Sequence, residues 1–273
     1  MIAAALGVAV GLVLGLTGAG GSILAVPLLM LGLGWTLPQA APVALLAVCA
    51  SATFGTVVAW DVTHVRYRAA ALMGALAVVT APLGIWSAGV MPLSWLALLF
   101  AAVLVVVAVR MLRQTLRAPA EAAIVRATVA GDGALPGGRW IHISSAGRIV
   151  WNGASAAAIG AIGAVTGFVA GLLGVGGGFV IVPALRALSG LSMHSCVATS
   201  LMAIALISAV AVAGALAQGV NVDWRAAAPF VLGALAGMLA GRRLAPRIAG
   251  PHLQQAFAAI MLLAALWLVL RIL

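Results

Sequence analysis

Apolar residues fill almost the whole chain in long runs, and the polar positions fall between those runs. The runs cover residues 40–60, 69–90, 93–112, 151–173, 196–217, 226–241 and 253–270, each near the ~20 residues that a helix needs to cross a bilayer. They lack the short alternating pattern of barrel strands, and no polar mature chain follows the first of them, as it would follow a lone secretory leader. The pattern predicts an all-α polytopic membrane protein. Residues 113–150 differ in kind, holding Gly, Pro and both signs of charge with no spanning run. They read as a cytoplasmic connecting loop, with a short strand or amphipathic piece near Trp140 to Ile143.

The loop separates two related segments, 1–112 and 151–273. GLTGAGGSILAVP (15–27) returns as GLLGVGGGFVIVP (171–183), with Gly15, Leu16, Gly18, Gly20, Gly21, Val26 and Pro27 repeated as Gly171, Leu172, Gly174, Gly176, Gly177, Val182 and Pro183. The register persists loosely: VRYRAA from Val65 meets VDWRAA from Val222, and Phe100 meets Phe257. Two homologous repeats are expected, each with one glycine-broken segment and three spanning helices.

Charge then bears on topology. Only 7% of residues are charged and 65% are hydrophobic, and the net charge of +10 comes from 14 arginines, no lysine and four acids. If residues 2–33 cross once, the repeats are parallel and ten arginines face four. If each glycine phrase instead folds back as two half-helices, the repeats are inverted. Arg66, Arg68, Arg110, Arg113, Arg117, Arg126, Arg139, Arg148, Arg186, Arg242, Arg243 and Arg247 then share one face, opposite Arg225 and Arg271. The second division follows the positive-inside rule better, so inverted repeats with both termini outside are expected. A crossing made by residues 149–173 alone would restore the parallel arrangement. Placed this way, the arginines need no polyanion to explain them, and no nucleic-acid partner is expected.

A glycine run breaks a helix, and broken backbone inside a bilayer is tolerated only where protein or a watery cavity satisfies it. The fragment restarting at Ser22 or Gly178 offers free amides and the positive end of a helix dipole. Two such ends brought together by a pseudo-two-fold axis suit an anion. The competing reading is close helix packing through small residues. The candidate binding residues are Gly18, Gly20, Gly21, Ser22, Gly174, Gly176, Gly177 and Gly178, with Thr199 and Ser200 as hydroxyl donors.

The doubled phrase, VATSLMAIALISAVAVAG from Val197 and GALAGMLAG from Gly233 resemble the TauE/SafE family of sulfite and organosulfonate exporters, over nearly the whole chain except 113–150. The resemblance implies a secondary transporter for small sulfur-containing anions, working by alternating access in a bacterial inner membrane. Its partners would be the anion and the lipid bilayer, with a homo-oligomer left open. One departure stands out: Ala198, Thr199, Ser200 and Leu201 answer to Pro42, Val43, Ala44 and Leu45, so a site using that hydroxyl pair is asymmetric.

Other polar residues have simpler readings beside functional ones. Thr17, Ser51, Thr53 and Ser208 are hydroxyls that usually bond the carbonyl one turn back. Asp61 and Asp223 are proton-relay candidates by depth and interfacial partners of arginine by position. His194 titrates near neutrality but sits at a helix start, and the tryptophans read as interfacial anchors. Cys49 and Cys196 have no framework spacing. No nucleophile with its base, metal cluster or phosphate loop occurs, so neither an enzyme, a cofactor nor a bound metal is expected. The alternatives kept are a membrane-embedded sulfur-handling enzyme or assembly component using Cys49 or Cys196, and a passive anion channel.

Overall fold

The computed structural model describes residues 1–17, 20–58, 66–117, 150–189, 193–248 and 251–270, and all seven apolar runs lie on helices. In chain order these are α1 (Ile2–Thr17), a 3-10 turn (Gly20–Leu24), α2 (Ala25–Leu33), α3 (Leu37–Val58), α4 (Tyr67–Val90), α5 (Leu93–Arg117), α6 (Gly153–Leu173), α7 (Gly178–Leu188), α8 (Met193–Ala217), α9 (Trp224–Ile248) and α10 (Pro251–Leu270). Six of them, α3, α4, α5, α6, α8 and α9, are long and apolar enough to cross a membrane. The chain is a multi-pass membrane protein. Helix α5 continues past the expected boundary at 112 as far as Arg117. The strand or amphipathic piece expected near Trp140–Ile143 lies outside the described residues, as do Gly18 and Asp61.

Both glycine phrases interrupt the helix, and both reverse the chain. After α1, Gly21 lies against the backbone of Val13 and Leu14, and Gly32 meets Leu6 near the start of α1. After α6, Gly177 lies beside Thr166, and Val180 and Leu188 of α7 share an apolar groove with Ala154 to Val165 of α6. The short helices α2 and α7 thus return along the helices that precede them. Helix α6 is long enough to cross alone, but the segment after it comes back.

Small residues at four-residue spacing then hold the halves together. Gly7, Gly11 and Gly15 of α1 face Phe230, Ala234 and Met238 of α9, and Gly233, Gly237 and Gly241 of α9 face Ala4, Val8 and Leu12 in return. The contacts advance together, so the two helices run in the same direction. In the other half, Gly163, Gly167 and Gly171 of α6 meet Met73, Ala77 and Ala81 of α4, again in the same direction. Without side chains between them the backbones touch, as in membrane helix pairs built on GxxxG, and the carbonyls come within reach of Cα–H donors. The first helix of each half is therefore packed on a helix of the other half.

Helices α3 and α8 form the centre. They run antiparallel: Cys49 Sγ donates to Ala205 O at 3.7 Å, across a separation of 156 residues, and Gly55 meets Leu201. The same spacing of 156 separates Gly15 from Gly171. Helices α5 and α10 pack chiefly on each other at the periphery. Trp86, Trp95 and Trp224 are exposed at helix ends, where interfacial anchors belong.

Candidate functional site

The two glycine turns meet at the centre: the 3-10 turn Gly20–Leu24 touches α7. Gly176 sits against Val48 of α3 and Ile204 and Ser208 of α8. Val48 and Ile204 stand near the middles of Leu37–Val58 and Met193–Ala217, so the start of α7 lies about halfway along helices that can cross a bilayer.

Backbone conformation explains why this turn is written with glycine. Gly174 caps α6 at φ 70° and Gly177 caps α7 at φ 71°, in the left-handed region that costs other residues about 1–2 kcal/mol. Val180 and Ile181 both donate to Gly177 O. The amides of Gly178 and Phe179 precede these bonds in the first turn of α7, where a helix has no internal acceptor to offer. They carry the positive end of its dipole. Gly174 and Gly176 have a second reason to lack a side chain, since a Cβ on Gly174 would meet Ala41, and one on Gly176 would lie 2.5 Å from Val48 Cγ1 and 2.8 Å from Ser208 Oγ.

The predicted residues sort into two groups. Gly174, Gly176, Gly177 and Gly178 form the turn before α7, and Gly21 and Ser22 lie buried in the 3-10 turn with Gly20. Gly21 is also a packing glycine against Leu14, and Gly15 and Gly171 of the repeated phrase belong wholly to the helix seams. That signal was present in the sequence as glycines at 7, 11 and 15, at 163, 167 and 171, and at 233, 237 and 241.

Thr199 and Ser200 are both fully buried, yet their hydroxyls have other partners. Thr199 Oγ1 accepts from the amide of Arg66 at 3.1 Å, bracing the start of α4, and Ser200 Oγ donates to Cys196 O at 2.6 Å. The proton that Ser200 gives to a carbonyl is not available to an anion, whereas Thr199 is held in place as an acceptor. Two hydroxyls placed behind them in the sequence reading, Ser51 and Ser208, are buried with no hydrogen-bond partner among the described residues.

The remaining candidates serve the scaffold. Asp223 Oδ1 accepts from Arg225 N at 3.0 Å, which caps α9. Thr17 Oγ1 bonds Val13 O, and Thr53 faces outward. The side chain of His194 lies outside the described residues. The Arg242 guanidinium donates to Gly55 O, in the last turn of α3, where a cation complements the helix dipole. Among the described residues no cluster of His, Cys, Asp or Glu has metal-holding geometry.

Neither cysteine is in a disulfide, and Cys196 is fully buried and Cys49 partly so, away from the access that thiol chemistry requires. Replacing both with alanine is expected to leave substrate uptake intact in liposomes; loss of uptake with normal insertion would revive a thiol-based activity.

The chain is 32% identical over 266 residues to a probable membrane transporter protein of Xylella fastidiosa strain 9a5c, covering 96% of this chain and 92% of that protein. A second such protein, from strain Temecula1, is 30% identical over the same shares. No solved structure matches. The family described as sulfite exporter TauE/SafE matches residues 3–268, and the chain belongs to it.

Proposed function

We propose that this protein is a secondary carrier that exports a small sulfur oxyanion, sulfite or a sulfonate, across a bacterial inner membrane, with the paired glycine turns as its cradle. The observation that carries this reading is the meeting of the 3-10 turn with α7 beside the middles of α3 and α8. There the first-turn amides of α7 point their dipole at the interior, and broken helices of this kind bind anions in other carriers.

The helix directions support inverted halves. Helices α1 and α9 run together, α6 and α4 run together, and α3 opposes α8, while each glycine phrase returns to its starting side. That arrangement goes with the division of the sequence that groups twelve arginines on one face, which the positive-inside rule makes cytoplasmic, and a positive field draws anions toward that mouth. An inside-negative potential favours an anion leaving by about 2.3 kcal/mol per charge per 100 mV, so export needs no coupling ion on thermodynamic grounds. Alternating access by rocking bodies would carry helices of both halves in each body, because the glycine seams join α1 to α9 and α6 to α4.

The test is uptake of radiolabelled sulfite, thiosulfate, taurine and sulfoacetate into proteoliposomes under an imposed potential. Saturable uptake of at least one of them with counterflow is expected. Flux that neither saturates nor shows counterflow identifies a channel, and no flux of any of the four overturns the reading.

A further inference from the structure

Several buried hydroxyls share one habit. Thr56 bonds Ala52 O, Thr166 bonds Ile162 O, Ser189 bonds Leu185 O and Ser200 bonds Cys196 O, each one turn back. This is the ordinary way for a membrane Ser or Thr to satisfy its proton. Ser51 and Ser208 are 1% and 0% exposed, and among the described residues neither hydroxyl has a partner. A buried polar atom left unbonded in a native structure calls for an explanation, and an absent ligand is one.

Their places in the fold supply it. Ser208 Oγ lies 2.8 Å from the point where a Cβ on Gly176 would stand, so the hydroxyl rests on the glycine turn that opens α7. Ser51 lies one turn along α3 from Val48, the other residue against Gly176. Each half thus contributes one such hydroxyl, from α3 and from α8, beside the point where Cys49 meets Ala205. The side chains nearest Gly176 are Val48, Ile204 and Ser208, none of them charged. Hydroxyls and first-turn amides can all donate there, and an acceptor-rich group such as a sulfo head matches them.

We propose that Ser208, with Ser51, donates the side-chain hydrogen bonds to the oxyanion at the turn before α7, and that Ser200 does not. The assignment rests on the reading of that turn as the anion cradle. It makes the site asymmetric, since at the spacing of 156 Ser208 answers to Ala52 and Ser51 to Ile207.

The experiment uses the full chain, purified and reconstituted, with labelled sulfite as probe. Ser208→Ala is expected to raise KM for sulfite by about 10- to 100-fold, the range for losing one hydrogen bond to a charged group. Ser51→Ala raises it less, Ser208→Cys falls between alanine and wild type because a thiol is a weak donor, and Ser200→Ala leaves KM unchanged. A second readout separates ligand from scaffold. Without sulfite, Ser208→Ala melts at or above the wild-type temperature, because an unbonded buried hydroxyl has been removed, yet the stabilisation that sulfite gives the wild type shrinks. An unchanged KM with unchanged sulfite stabilisation overturns the assignment, as does a lower melting temperature with KM intact. If the wild type neither binds nor moves sulfite while another anion of the panel is carried, the same variants are read with that anion. If it carries none, the carrier reading fails and the hydroxyl assignment fails with it.

Discussion

Leucine in place of Gly11 yields no folded protein. The position of a Cβ on Gly11 coincides with the backbone of Ala234, its carbonyl, C and Cα atoms together. Only backbone stands in the way, so no rotamer change relieves the clash. The α1 and α9 axes must part along their whole shared seam, and the adjacent contacts at Gly7, Gly15, Gly233, Gly237 and Gly241 open with it. Overfilling an ordinary core site costs about 1–3 kcal/mol. Separating a helix pair held by close backbone packing removes several such contacts at once and exceeds about 5 kcal/mol, the lower end of what a folded domain has to lose. Size-exclusion profiles of the solubilised protein read the outcome, with Gly89→Leu as control, since nothing lies within 4 Å of a Cβ there. A monodisperse Gly11→Leu protein melting like the wild type would dismiss the seam as a structural requirement.

Alanine at Gly176 has a different signature, abolishing flux while leaving the fold. The added methyl meets side-chain atoms, Val48 Cγ1 at 2.5 Å and Ser208 Oγ at 2.8 Å, so side chains rather than backbone must move aside. The protein therefore inserts and stays monodisperse. The methyl occupies the face of the turn that Ser208 looks onto, and displacement of a bound group by about 1 Å is enough to cost roughly 100-fold in rate. Sulfite uptake normalised to inserted protein is expected to fall by at least that factor. Leucine at Gly177, the more obvious choice, would confuse the two effects, because φ 71° there strains any side chain. Wild-type uptake by Gly176→Ala would move the site away from this turn.

The sequence made the helices legible because lipid leaves little choice: every apolar run between 40 and 270 lies on a helix. It also made the reversals at the glycine phrases legible as one of two options, through the distribution of arginine. Sorting glycines by role was harder. Gly15 and Gly176 sit in one repeated phrase, yet the first packs against Met238 and the second against Val48 and Ser208. The four-residue spacing separates them, since Gly15 continues the series from Gly7 and Gly11 while Gly176 continues none. The hydroxyls were not legible at all. Whether a serine bonds one turn back depends on its rotamer and on what faces it from another helix, so Ser200 and Ser208, eight residues apart on α8, look alike until both are placed.

The crossed seams bear on how such a chain is assembled. Helix α1 leaves the ribosome long before its cradle α9 exists, and its stripe of bare glycine backbone stays unmatched until the second half is inserted. Each half lends the other its opening helix, so pieces cleaved between Arg117 and Gly153 are expected to stay clasped together rather than part as separate folding units.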